Sequence, residues 1–153
     1  MMTLGRAWVL LTAVLILGAC DPRDRRPGLW LTGEEAEVLP SDWSFSDEYG
    51  EVSLEVATPY LIPHSVTIWC AQVEGTLYVA AAAPEEKNWP DWVADDPDVR
   101  LKIADTVYAA TLVQLADAAE IEAVRNAYAG KYDVANLGSG ASLRYWRVGP
   151  RPG

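Results

Sequence analysis

Histidine occurs once in the 153 residues and cysteine twice, while Lys and Arg number 12 against 22 Asp and Glu. One histidine and two cysteines cannot supply the ligands of a structural zinc site, and two cysteines cannot build a disulfide framework. The formal charge of −10 argues against nucleic acid, whose phosphates need a basic face. No serine lies in the Gly-x-Ser-x-Gly context of a hydrolase nucleophile. Gly138-Ser139-Gly140 precedes a strand pattern, so it is no phosphate loop. Asp91, Asp95, Asp96 and Asp98 lack the alternating spacing and central glycine of an EF-hand loop and read as a solvated helix end. No metal is expected. What remains is half apolar, with 10 prolines, 11 glycines and 7 tryptophans, a composition suited to one folded domain.

A transmembrane run is also missing. Ala7–Cys20 carries no charge, but at ~1.5 Å per residue its helix reaches only ~21 Å of a hydrocarbon core ~30 Å thick. With Arg6 ahead of it, the segment reads as a signal peptide, residues 1–19. It closes on Leu17-Gly18-Ala19-Cys20, a run that resembles the lipobox of bacterial lipoproteins. The resemblance implies a mature N-terminus at Cys20 with acyl chains (palmitate among them) on its sulfur, tethered to the cell membrane on the periplasmic or extracellular side. Two or three acyl chains exceed what stable anchoring requires. Removing residues 1–19 takes Arg6 and no acid, which deepens the mature charge to −11. Asp21–Pro27 holds two prolines, three arginines and no apolar residue. It reads as a spacer, and residues 20–40 are assigned to the lipidated cysteine and tether. Cys70 is then the one free thiol, a small hydrophobe within an apolar run. A nucleophilic role would need His64 as its base.

Alternation organises the rest. Val52, Leu54 and Val56 alternate with Glu51, Ser53 and Glu55 and predict a half-buried strand. Ser65–Val73 and Thr76–Ala82, joined by Glu74-Gly75, predict a hairpin. Pro90 opens a short helix that ends before Pro97. Val99–Ile103 and Thr106–Leu115 form a second hairpin around Ala104-Asp105. Asp117 and Glu120 resemble a capping box that opens a helix with the stripe Ile121, Val124, Ala127 and Tyr128, ending near Gly130. After a Gly/Ser loop, residues 142–148 alternate as a last strand. The expected fold is α+β: six antiparallel strands with two helical insertions, most simply a small barrel over residues 41–151.

This order is similar to the split β-barrel of the pyridoxamine-phosphate-oxidase-like flavoproteins, which include flavin- and deazaflavin-dependent oxidoreductases. The stretches that carry the likeness are His64–Trp69, Gly75–Val79, Lys87–Trp89, Asp98–Lys102, Ala127–Tyr132 and Trp146–Arg151, and they look like an uncharacterised bacterial branch. The resemblance implies a flavin (FMN or deazaflavin) in a cleft beside the barrel, shared between two subunits of a homodimer. It puts the cofactor phosphate at Lys87 and Asn88, before a helix start, and His64, Thr67 and Trp69 along the ring. Trp89 and Trp92 either stack on the ring or plug the barrel end, and Arg100 and Lys102 either contact the cofactor or face water. Glu85 and Glu86 beside Lys87 would oppose a phosphate. The expected function is a membrane-anchored lipoprotein that binds a flavin-like or other small ligand, with an oxidoreductase as the enzymatic form. The other reading is a cofactor-free envelope module that binds protein partners.

Overall fold

Val52, Leu54 and Val56 are buried, as their alternation requires, and the strand they form organises half of the fold. In the computed structural model, which describes residues 28–132 and 142–152, the strands are β1 (Glu34–Glu35), β2 (Val52–Val56), β3 (His64–Ile68), β4 (Cys70–Val73), β5 (Thr76–Ala82), β6 (Asp98–Ile103), β7 (Thr106–Gln114) and β8 (Leu143–Gly149). The helices are α1 (Trp89–Asp95) and α2 (Ala118–Lys131). The sheet runs β3-β2-β6-β7-β8-β5-β4, antiparallel throughout, with β1 added parallel to β7.

The fold class and both helices follow the sequence pattern, but the strand count does not. Eight strands replace six for two reasons. β1 adds one, and Ser65–Val73 breaks at Trp69 into β3 and β4. Those two halves stand at opposite ends of the sheet. The sheet is therefore not closed by hydrogen bonds; the covalent chain at Trp69 joins its ends. Only the second half forms the expected hairpin, Cys70–Val73 on Thr76–Val79, while the first half pairs with β2. Alternation cannot reveal such a break, because side chains keep their period through a bend.

The break is held by α2. Backbone groups that leave a ladder need other partners. Tyr128, on α2 and stacked on Tyr132 just past the helix end at 5.6 Å, donates its hydroxyl toward the carbonyls of Trp69 (3.0 Å) and Tyr78 (3.2 Å). The Tyr132 hydroxyl accepts from the Cys70 N–H (3.2 Å) and sits 2.7 Å from the Cys70 carbonyl and 2.8 Å from that of Gly50. Asp117 caps the helix by accepting from the Glu120 N–H at 2.8 Å. The return half of the box is not made, because the Glu120 carboxylate turns instead to Tyr78 and Arg147.

Val66, Leu54, Leu101 and Val79 line the interior with Trp89 and Trp146. A second cluster, Val124, Tyr128, Tyr78 and Tyr145, lies between α2 and the sheet. On the outer side of β2 and β6, Glu55, Arg100, Ser53 and Lys102 stand in register. That face is covered by residues 28–36. Gly28 exchanges both backbone hydrogen bonds with Ser65, Leu31 donates its N–H to Glu55, and Glu34 and Ala36 donate to the carbonyls of Asp105 and Val107. This strap crosses from β3 to β7, so from Gly28 on the segment assigned to the tether is part of the folded domain. Two glycines permit the close approach: a Cβ on Gly28 would lie 2.5 Å from the Ser65 hydroxyl, and one on Gly33 2.4 Å from the Asp105 carbonyl.

Candidate functional site

Where β2 ends, the chain turns through Thr58–Pro63 before re-entering as β3, and α1 ends nearby at Asp95. Between them lies a groove of about 380 Å³ whose polar lining is Glu55, Thr58, Asp96, Asp98, Arg100 and Arg151. A depression of about 210 Å³ adjoins it, with Trp92, Asp95 and Asp96 in its wall. Trp92 is held edge-on by His64, with ring centroids 5.2 Å apart, and by Tyr60 at 5.9 Å. The depression thus sets Trp92 beside the charged groove, the two sharing Ala57, Thr58 and Asp96.

The charges are already spent within the protein. Glu55, only 7% exposed, accepts from Arg100 at 2.8 Å. Arg100 also pairs with Glu35 and donates to the Leu31 carbonyl at 3.1 Å. Burial works against the Arg100 cation, but the two carboxylates outweigh it and hold the guanidinium firmly charged. Arg151 donates to the Val99 carbonyl at 2.8 Å and lies 3.9 Å from Asp98. Lys102 donates to the Thr32 carbonyl at 2.6 Å. Arg100 is thus paired within the protein, and both Arg100 and Lys102 pin the strap.

Of the residues singled out in the sequence, His64 and Trp92 meet directly, and Arg100 lines the neighbouring groove. The others are dispersed. Lys87 and Asn88 are half-buried at the turn before α1. Trp89 is 1% exposed and packs on Trp146 at 4.8 Å, so it plugs the barrel and offers no ring to a ligand. Thr67 lines a separate depression with Trp30 and Lys102. Trp69 stacks on Tyr132, 4.7 Å away and nearly parallel. Glu55, Arg151 and the strap were missed in the sequence. Gly28 and Gly33 were the available signal, since two glycines in a segment read as a solvated spacer mark close backbone approach.

A second cluster surrounds Cys70, which is fully buried. Lys131 approaches its sulfur at 3.7 Å and donates to the Ser46 carbonyl at 2.8 Å. Burial pushes the Cys70 thiol up, against the pull of the Lys131 ammonium. Burial likewise raises Tyr128 and Tyr132. This cluster is neutral at the thiol and staples α2 to the sheet. His64 packs on Trp92 at the start of β3, whereas Cys70 sits beside Lys131; a buried thiol pushed up in this way is a poor nucleophile. Among the described residues no three His, Cys, Asp or Glu side chains converge as a metal site. Cys20 and the Gly/Ser loop at 138–140 lie outside the described residues.

Residues 50–143 match the family model "Uncharacterized protein conserved in bacteria (DUF2255)". The chain belongs to this family. The match opens just before β2 and stops at the first residue of β8, so this DUF2255 chain carries its strap outside the matched region. No curated protein sequence matches it. Solved structures do, at the level of fold. A Listeria innocua protein described as pyridoxamine 5′-phosphate oxidase-like superposes with a TM-score of 0.52 at 15% identity, over 69% of this chain and 87% of that one. A reductase dependent on a reduced deazaflavin gives 0.53 at 16%, over 65% and 94%. The heme storage protein of Vibrio cholerae gives 0.53 at 11%, over 71% and 87%. The DUF2255 chain thus has the split-barrel architecture of those proteins.

Proposed function

We propose that this DUF2255 protein is a lipid-anchored envelope protein whose split barrel binds a small planar ligand against Trp92. The anchoring half rests on the Leu17–Cys20 run. The binding half is carried by Trp92, braced by Tyr60 and His64, in a depression that shares Thr58 and Asp96 with the charged groove of Glu55 and Arg100. The barrel's likeness to flavin-, deazaflavin- and heme-related structures supports the ligand class.

The residues present do not fit a phosphate in this groove. Three carboxylates (Glu55, Asp96 and Asp98) line it, and both arginines are engaged by protein groups. A phosphorylated flavin would have to place its anion at Lys87 and Asn88, or across a subunit boundary. A planar ring with little negative charge suits the groove itself, held edge-on or stacked by Trp92. No redox step is assigned to the chain's own residues.

The same ion pairs favour a second reading, a barrel that has exchanged its cofactor for internal salt bridges and serves as an interaction module. Titration of residues 28–153, strap included, with FMN, a deazaflavin and heme separates the two. The expected result is saturable quenching of tryptophan fluorescence by at least one of them. Trp92→Ala should weaken it about tenfold, as befits the loss of an aromatic contact of ~1.4 kcal/mol, while Trp89→Phe leaves it in place. A folded domain that answers none of the three selects the cofactor-free reading.

A further inference from the structure

Exposed apolar side chains are scattered singly over most of this surface, but three stand in succession at Tyr60, Leu61 and Ile62, 55%, 92% and 45% exposed. The loop that carries them is braced. The Thr58 hydroxyl donates to the Ile62 carbonyl at 2.7 Å, Leu61 donates back to the Thr58 carbonyl at 3.3 Å, and Tyr60 leans on Trp92. Leu61 sits at φ +65°, a region that branched side chains avoid, so the chain holds an apolar side chain outward at a conformational cost.

The surroundings indicate what covers it. No Asp, Glu, Lys or Arg lies between Glu55 and Glu74 in sequence, the longest charge-free interval of an acidic mature chain; in space the charged groove of Asp96, Asp98 and Arg151 begins on one flank of Leu61. The described chain begins at Gly28, hydrogen-bonded to Ser65, three residues past Ile62. Eight peptide links separate Gly28 from Cys20, a reach of at most ~29 Å. Arg23, Arg25 and Arg26 lie within those links and suit lipid headgroups. We propose that the Tyr60–Leu61–Ile62 tip docks into the bilayer interface beside the anchor, with Tyr60 at headgroup depth and Leu61 below it. The inference rests on the anchoring reading: acyl chains on Cys20 and the apolar tip act as two attachments that fix which side of the barrel faces the membrane.

The test uses the full lipidated chain. Its Cys20 is blocked by lipid and its Cys70 is buried, so Leu61→Cys, or Ile62→Cys as a second variant, offers the one accessible thiol for an environment-sensitive fluorophore. Val38→Cys, 79% exposed beside β7 and β8, serves as the reference. The labelled proteins are reconstituted in phosphatidylcholine vesicles and quenched by nitroxide on the acyl chains or by iodide in the water. With lipid on Cys20 by mass, the label at 61 or 62 should answer to the nitroxide and the one at 38 to iodide. A lipidated protein whose tip answers only to iodide overturns docking and leaves anchoring intact. A tip shielded from both quenchers is covered by a second copy of the chain, which also overturns docking. Absence of lipid on Cys20 defeats the anchoring reading, and docking falls with it.

Discussion

Tyr78 illustrates how one hydroxyl ties the sheet to the helix. It donates to Glu120 at 3.0 Å, and Arg147 reaches the same carboxylate oxygen at 2.9 Å. Burial first, and then the Glu120 carboxylate, push Tyr78 up to about 12. An unfolded tyrosine ionises near 10, so between the two values the unfolded chain holds fewer protons than the native one. Stability is complete below pH ~10 and falls as the pH rises toward ~12. Tyr78→Phe should flatten this part of the alkaline limb in urea titrations read by far-UV dichroism; an unchanged slope would mean that Tyr78 does not control it. Cys70 makes a complementary point. A raised thiol without exposure is inert, so its role is packing among Tyr49, Tyr132 and Lys131.

At the scale of elements, the strap and the Trp69 break were the two surprises. Arg100 joins the strap to the sheet, and Arg100→Ala would leave Glu55 buried without its cation. That loss should cost ~3 kcal/mol. It should also speed hydrogen exchange at Leu31, Glu34 and Ala36 while the β6–β7 amides stay protected. Uniform loss of protection would show that the strap and sheet unfold together. The helices and β2, β5, β6, β7 and β8 were legible because capping, alternation and turn chemistry are local. The strap was not, because Gly28–Ala36 has neither period and is held by partners 24 to 70 residues away. The break at Trp69 was hidden for a similar reason: it is held by Tyr128 on α2 and Tyr132 just past its end. Site residues suffered most. His64 and Trp92 were singled out by residue type, and Arg100 and Lys102 were read as open to ligand or water because the strap over them was invisible. Trp89 was legible only as one of two alternatives, and its packing on Trp146 decides between them.

For the molecule as a whole, acidity and architecture pull in different directions. The resemblance that fits the fold implies a shared cleft between two subunits, whereas a formal charge of −10 opposes close approach of two copies. Where the interface is apolar, the dimer wins at moderate ionic strength, because charges beyond ~8–10 Å are screened. Sedimentation of residues 28–153 should therefore show a dimer whose dissociation constant falls as salt is raised. A monomer at every salt concentration would confine the ligand groove to one subunit.

The strap has a mechanical consequence. Any pull on the chain ahead of Gly28 reaches the domain first through two hydrogen bonds to Ser65, then through Leu31 on Glu55, then through Glu34 and Ala36 on β7. These fastenings are met one after another and not together, so a load opens them like a zip and the barrel is the last thing to feel it. Pulling on that end would pay out the nine residues of the strap before it strained a single strand of the core.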